Sequence, residues 1–157
     1  MTGSESQLDS YDRKILRNLA EDGRLPITEL AARVGLSKSP AQVRVKRLVA
    51  EGYITGFHAA LDPEKLGLTH VAFAEVKLES TTEAALAAFN RAVRKVPEIE
   101  QCHMIAGAFD YLLKVRTRDI ASYRRVLGEV VSTLPHVAST STHVSMEAVK
   151  DSAPGRG

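Results

Sequence analysis

The chain has 157 residues, 44% of them hydrophobic and 25% charged, with a formal net charge of +2. That length suits one ordinary domain or two small ones, and so even a charge balance does not by itself mark a nucleic-acid binder. The single cysteine, Cys102, excludes an internal disulfide and any multi-cysteine zinc site.

The polar opening MTGSESQLDS lacks a signal-peptide core, and no apolar run approaches the ~20 residues of a membrane span. A cytoplasmic protein that makes no membrane contact is therefore expected. Charge is informative locally. Residues 1–62 hold nine Lys/Arg and eight Asp/Glu, yet four of those cations fall between Lys38 and Arg47 with no acid among them.

Residues 1–7 are polar and expected to be loose. Asp9 or Ser10 then caps a first helix running to about Asp22, with Leu8, Ile15, Leu16 and Leu19 on its inner side and Gly23 ending it. Pro26 and Thr28 open a second helix whose stripe is Ile27, Leu30, Ala31 and Val34, closed by Gly35. Only Leu36 separates that glycine from Ser37, which caps a third helix extending to Gly52 with Pro40 in an early position.

The third helix buries Ala41, Val45 and Leu48 and turns Lys38, Ser39, Gln42, Lys46 and Arg47 outward. So tight a turn between the second and third helices predicts a helix-turn-helix, with the first helix packed across its back. A basic, hydrogen-bonding face on such a helix suits the DNA major groove. Lys38, Arg44, Lys46 and Arg47 are the expected phosphate contacts, Ser39 and Gln42 the expected base readers, and Ser37 lies beside them. Arg44 stands nearest the buried stripe and would reach the phosphates from the edge.

Beyond Gly52, YITGFHAAL (53–61) reads as a short strand or a linker, and Asp62, Pro63 and Gly67 mark a boundary. The period then changes. A strand is expected over 68–78, with Val71, Phe73 and Glu75 alternating against Ala72, Ala74, Val76 and Leu78. A helix follows over 81–96, carrying Leu86, Phe89, Val93 and Val96 at helical spacing, and Pro97 stops it.

Strands at 98–106 and 109–116 form a hairpin with Gly107 and Ala108 at its turn. A helix over 119–134, capped by Asp119, presents Ile120, Tyr123, Leu127, Val130 and Leu134, and a last strand covers 137–149. Strand-helix-strand-strand-helix-strand is the order of a ferredoxin-like plait, so the fold class is α+β. Apolar residues on both sides of the strands predict a second buried sheet face, most simply covered by another subunit. The expected divisions are a helix-turn-helix at 8–53, a strand or linker at 54–64, a plait at 65–150 and a disordered tail at 151–157.

The chain resembles the Lrp/AsnC family of leucine-responsive, or feast/famine, transcriptional regulators. The resemblance runs from about Leu8 to Lys150 through LDSYDRKIL, LAARVGLSKSP, VRVKRLVAEGYITG, LDPEKLG, IEQCHMIAGAFDYLLKVR and LPHVASTSTHVSMEAVK, which together are highly specific. It implies an operator-binding helix-turn-helix joined to a ligand-sensing plait (the RAM domain), dimers that often assemble into octamers, and an amino acid such as leucine or proline bound between subunits. Two departures stand out: Ala41 where the family often has Cys, and Ala108 where its hairpin often carries an acid.

The expected effector residues centre on that hairpin: His103, Met104, Gly107, Ala108, Phe109 and Asp110, with Thr140 and Thr142 from the last strand. Gly107 admits close approach of a ligand to backbone, and the Asp110 carboxylate suits an α-ammonium, although a turn carboxylate commonly does no more than bind backbone N–H groups. Catalysis is not expected. Cys102 and His103 are neighbours on a strand and point to opposite faces, and His58, His70, His136 and His143 show no metal-ligand spacing. No cofactor is expected. A competing reading uses the plait as a small-molecule sensor or enzyme and the helices only as a dimer arm.

Overall fold

The structure, a computed structural model, describes residues 8–151. The expectations for the terminal stretches at 1–7 and 152–157 lie outside the described residues. The described chain divides into two compact units, one comprising the residues up to Leu61 together with Lys150 and Asp151, the other spanning Asp62–Val149.

The N-terminal unit holds helices α1 (Ser10–Glu21), α2 (Ile27–Val34) and α3 (Lys38–Ala50). A capping box starts α1: the Asp9 carboxylate accepts the Asp12 N–H at 2.8 Å, and Asp12 returns the bond to the Asp9 N–H at 3.2 Å. Gly35, with φ +79°, closes α2. The Gly35 N–H donates to Ala32 O and the Leu36 N–H to Ala31 O, the paired bonds of a Schellman turn. Ile15, Leu25, Leu30, Val34 and Leu48 form the core, with Leu8, Leu16, Leu19, Ile27, Leu36 and Val45 packed against it. The expected stripes of all three helices therefore meet in one place. Residues 53–61 form no strand, and Phe57 and Leu61 stay exposed.

The second unit comprises β1 (His70–Leu78), α4 (Glu83–Val93), β2 (Ile99–Met104), β3 (Tyr111–Thr117), α5 (Ile120–Glu129), a 3-10 turn (Val131–Thr133) and β4 (Val137–Val144). The sheet order is β2-β3-β1-β4 with every neighbouring pair antiparallel, which is the ferredoxin-like plait. Ala72, Ala74, Val76, Tyr111, Leu113 and Val115 face α4 and α5 and pack on Phe89, Val93 and Tyr123.

Three boundaries differ from the sequence reading, each for a local reason. The last helix breaks after Glu129 into a 3-10 turn, which shifts the phase so that Val131 rather than Val130 is fully buried, while Ile120 at its start is exposed. β4 ends at Val144, opposite Ala72, with the Ser145 N–H still donating to Val71 O; β1 begins at His70, so 147–149 have no residue opposite them, and Met146 and Val149 lie exposed. The hairpin connection is six residues, 105–110, rather than a tight turn, and is closed by the Ile105 N–H donating to Asp110 O at 2.8 Å.

Candidate DNA interface and effector site

Helix α3 buries Ala41 and Leu48 and exposes Lys38, Ser39, Gln42 and Lys46 on its far side. Val43 lies among them, 66% exposed. It sits one turn from Ser39 and Lys46 and so shares their face. An apolar side chain there matches the methyl group of thymine. Val43 is not among the residues expected from the apolar stripe; an apolar residue lying off that stripe is the sequence signal for it.

Ser37 holds the N-cap position with extended backbone, but its hydroxyl makes no capping bond. Pro40 removes one of the two usual partners: an N-cap side chain normally accepts from the second or third helical residue, and the third here has no N–H. The first turn of α3 thus keeps its positive dipole end and an uncommitted hydroxyl close to Lys38.

Arg44 and Arg47 depart from the sequence expectation, because both turn towards α1 rather than lining up with the lysines. Arg44 Nη1 donates to Asp9 Oδ2 at 2.6 Å and to Asp12 Oδ1 at 2.9 Å, and its guanidinium also lies 5.4 Å from the centre of the Tyr11 ring. Arg47 reaches Asp12 Oδ1 at 2.6 Å and Glu51 Oε2 at 3.1 Å. Asp12 is 2% exposed, so α1 has placed a buried carboxylate between the two arginines.

Burial pushes the Asp12 carboxyl up, but hydrogen bonds from Arg47 and Arg44 outweigh this and leave it below the ordinary value. Asp9 is also lowered, first by the Asp12 backbone N–H and then by Arg44. Both guanidiniums are raised by the same bonds.

In the plait, the residues expected around an effector divide among several places. His103 pairs with Leu112 and Met104 with Tyr111, so strand alternation puts His103 on the open sheet face and Met104 on the helix side. There Met104 lines a cleft of about 340 Å³ with Cys102, Arg94 and Tyr111. Burial raises the Cys102 thiol, which disfavours a nucleophilic thiolate. Thr142 is placed under α5, its hydroxyl 2.7 Å from that of Tyr123, and so is withdrawn from the hairpin. Thr140 pairs with Val76, a β1 residue whose carbonyl accepts the Asp110 N–H, so it lies at the level of the hairpin but on the same helix side as Thr142.

Gly107, Ala108, Phe109 and Asp110 remain together in the hairpin connection. Asp110 Oδ2 accepts the Leu78 N–H at 2.7 Å, beside the register shift between Lys77 and Leu78, so one carboxylate oxygen holds the β1 end. Gly107 has no left-handed φ, and a Cβ there would meet only Ile105 Cγ2 at 3.8 Å. The backbone therefore does not require glycine at this position, contrary to a tight-turn role. Lys77, which the sequence reading did not select, sends Nζ to Ala108 O at 3.1 Å. Cation and carboxylate thus flank one short loop.

A helix-turn-helix with a polar, cationic third helix, carried in one chain with a plait bearing a charged hairpin, defines a ligand-responsive DNA-binding protein. Residues 8–55 match the family described as winged helix-turn-helix DNA-binding, and residues 71–154 match the Lrp/AsnC ligand binding domain. A proline dehydrogenase transcriptional activator of Rhizobium radiobacter is 65% identical over 144 residues, covering 92% of each chain. The leucine-responsive regulatory protein of Escherichia coli K12 is 46% identical over 92% of this chain and 88% of its own.

Among solved structures, a transcriptional regulator of Neisseria meningitidis in complex with L-Met superposes with a TM-score of 0.87 at 32% identity, covering 94% of this chain and 96% of that one. An AsnC family regulator from Agrobacterium tumefaciens gives 0.86 at 33%, covering 92% and 94%. The chain belongs to the Lrp/AsnC family of DNA-binding transcriptional regulators. No described helix is long and apolar enough to cross a membrane.

Proposed function

We propose that the chain is a cytoplasmic, non-enzymatic regulator that binds an operator through α3 and is modulated by an amino acid held at the β2–β3 hairpin between subunits. The observation that carries the DNA half is the solvent face of α3, where Lys38, Ser39, Gln42, Val43 and Lys46 stand together on a helix fixed by a Schellman turn. Ser37, Lys38 and Lys46 take phosphates, while Ser39, Gln42 and Val43 read bases. Arg44 and Arg47 are committed to α1.

The effector half rests on the loop from Gly107 to Asp110. Its backbone N–H groups and Lys77 suit a carboxylate, and the second oxygen of Asp110 suits an ammonium. His103 approaches from the open sheet face, whereas Met104, Thr140 and Thr142 belong to the helix side. Because relatives bear the name of proline dehydrogenase activators, proline is the first effector to try and leucine the second. We assign the open sheet face, with its half-buried Val71, Phe73 and Leu112, to a homodimer that assembles further into an octamer. The functional divisions proposed are 8–53 for DNA and 65–150 for effector and assembly, with 54–64 as linker.

The test is duplex binding across a salt series. Lys46→Ala should weaken all sequences alike and lower the salt slope by about one unit. Gln42→Ala should relax preference at one base position, by roughly 1–3 kcal/mol. Equal loss of specific and random binding in the Gln42 variant would remove its base-reading role. A chain without salt-dependent duplex affinity would instead be a sensor or enzyme with a helical dimer arm.

A further inference from the structure

We propose that Asp9 and Asp12 act as built-in substitutes for DNA phosphate, holding Arg44 and Arg47 off the nucleic acid and so raising the share of binding that depends on base sequence. The inference rests on the assignment of α3 as the recognition helix. Two of the four cations on α3 that could serve phosphates are instead bonded to carboxylates of α1, at 2.6 Å, 2.9 Å and 2.6 Å.

The arrangement is held from several sides. Asp12 is 2% exposed and shares one oxygen between both guanidiniums, while its other oxygen is bonded to the Asp9 N–H. Asp9 is fixed by its capping bond to the Asp12 N–H, and Arg44 lies close to the Tyr11 ring. The guanidiniums are not hidden, at 28% and 31% side-chain exposure, so they are restrained rather than buried. Carboxylates satisfy an arginine much as a phosphate does.

The consequence concerns specificity. Phosphate contacts supply sequence-independent affinity, each adding about 0.9 to the salt slope on duplex DNA. Two more arginines on phosphates would strengthen binding everywhere and dilute what Ser39 and Gln42 read. With the acids in place, the outward charge on α3 is that of Lys38 and Lys46.

The experiment measures binding of the full chain to a random-sequence duplex at several salt concentrations, with thermal melts as a folding control. Asp9→Asn is the informative variant, because asparagine caps a helix as well as aspartate but carries no charge. It should steepen the slope by about 0.9, an extra affinity loss of about 3.5-fold between roughly 50 and 200 mM salt, and lower the operator-to-random ratio. Arg44→Gln alone should leave the slope unchanged. In Asp9→Asn/Arg44→Gln the steepening should vanish, which separates a released arginine from a general change in charge.

A slope that falls by about 0.9 in Arg44→Gln would overturn the proposal, since Arg44 would then already lie on a phosphate. No steepening in a normally melting Asp9→Asn protein would overturn it too. Lys46→Ala serves as the reference: if it leaves the slope untouched, α3 does not face DNA, and the failure belongs to that assignment.

Discussion

At the residue scale, Asp110 bears the most on function. One of its oxygens holds the Leu78 N–H, so removing the whole side chain would confuse loss of ligand with loss of the β1 end. Asp110→Asn keeps an acceptor and removes the charge. It should abolish the amino-acid response while leaving effector-free operator binding within about twofold, since a charge-assisted hydrogen bond is worth some 1.5–3 kcal/mol. Calorimetry checks it; unchanged effector affinity would place the pocket elsewhere. Gly107→Ala should melt like the parent, because the added Cβ meets only Ile105.

The lowered carboxyls of Asp9 and Asp12 fix the sign of a pH effect. Groups whose pKa is depressed by folding stabilise the native state above their ordinary value of 3.8, and that stability is lost as pH falls through the lowered values. The melting temperature of the N-terminal unit should therefore drop on acidification below about pH 4, and Asp12→Asn should flatten that dependence. The sequence displayed all four residues of this cluster. It did not display their pairing, because Asp9 and Arg44 are 35 positions apart and helical spacing says nothing about which flank of α3 meets α1.

At the scale of elements, periodicity was enough to find the helices and strands, and errors gathered where a neighbour decides the end. Gly35 is an example of a legible end: its left-handed φ is required by the turn that aims α3. Gly35→Ala should cost about 1–2 kcal/mol of unit stability, measurable by denaturant unfolding, although nothing stands within 4 Å of the new methyl. Ser37 has the residue type of a cap, but Pro40 withholds the N–H of the third helical position and the hydroxyl makes no capping bond. The end of β4 is not legible in its own sequence, because the residues that could pair with 147–149 would have to come from β1, which begins only at His70. Proximity in sequence does not bring the hairpin candidates together, because alternation on β2 sends His103 and Met104 to opposite sides.

For the whole molecule, the plait carries its own core, with twelve buried residues clustered between the sheet and its two helices. A fragment covering 62–150 should therefore fold, remain at least dimeric through its open sheet face and show no duplex affinity. A monomer in sedimentation would remove that face as the main contact. On the proposed function, one chain couples an amino acid at the hairpin to an operator at α3. The most direct test of that coupling is the equilibrium affinity of the full chain for an operator selected from random duplexes, measured with and without saturating free amino acids. At least one amino acid should shift that affinity by about 5- to 150-fold, a coupling of about 1–3 kcal/mol, and Asp110→Asn should remove the shift. Operator affinity unmoved by every amino acid, or equally moved in the Asp110→Asn protein, would contradict it.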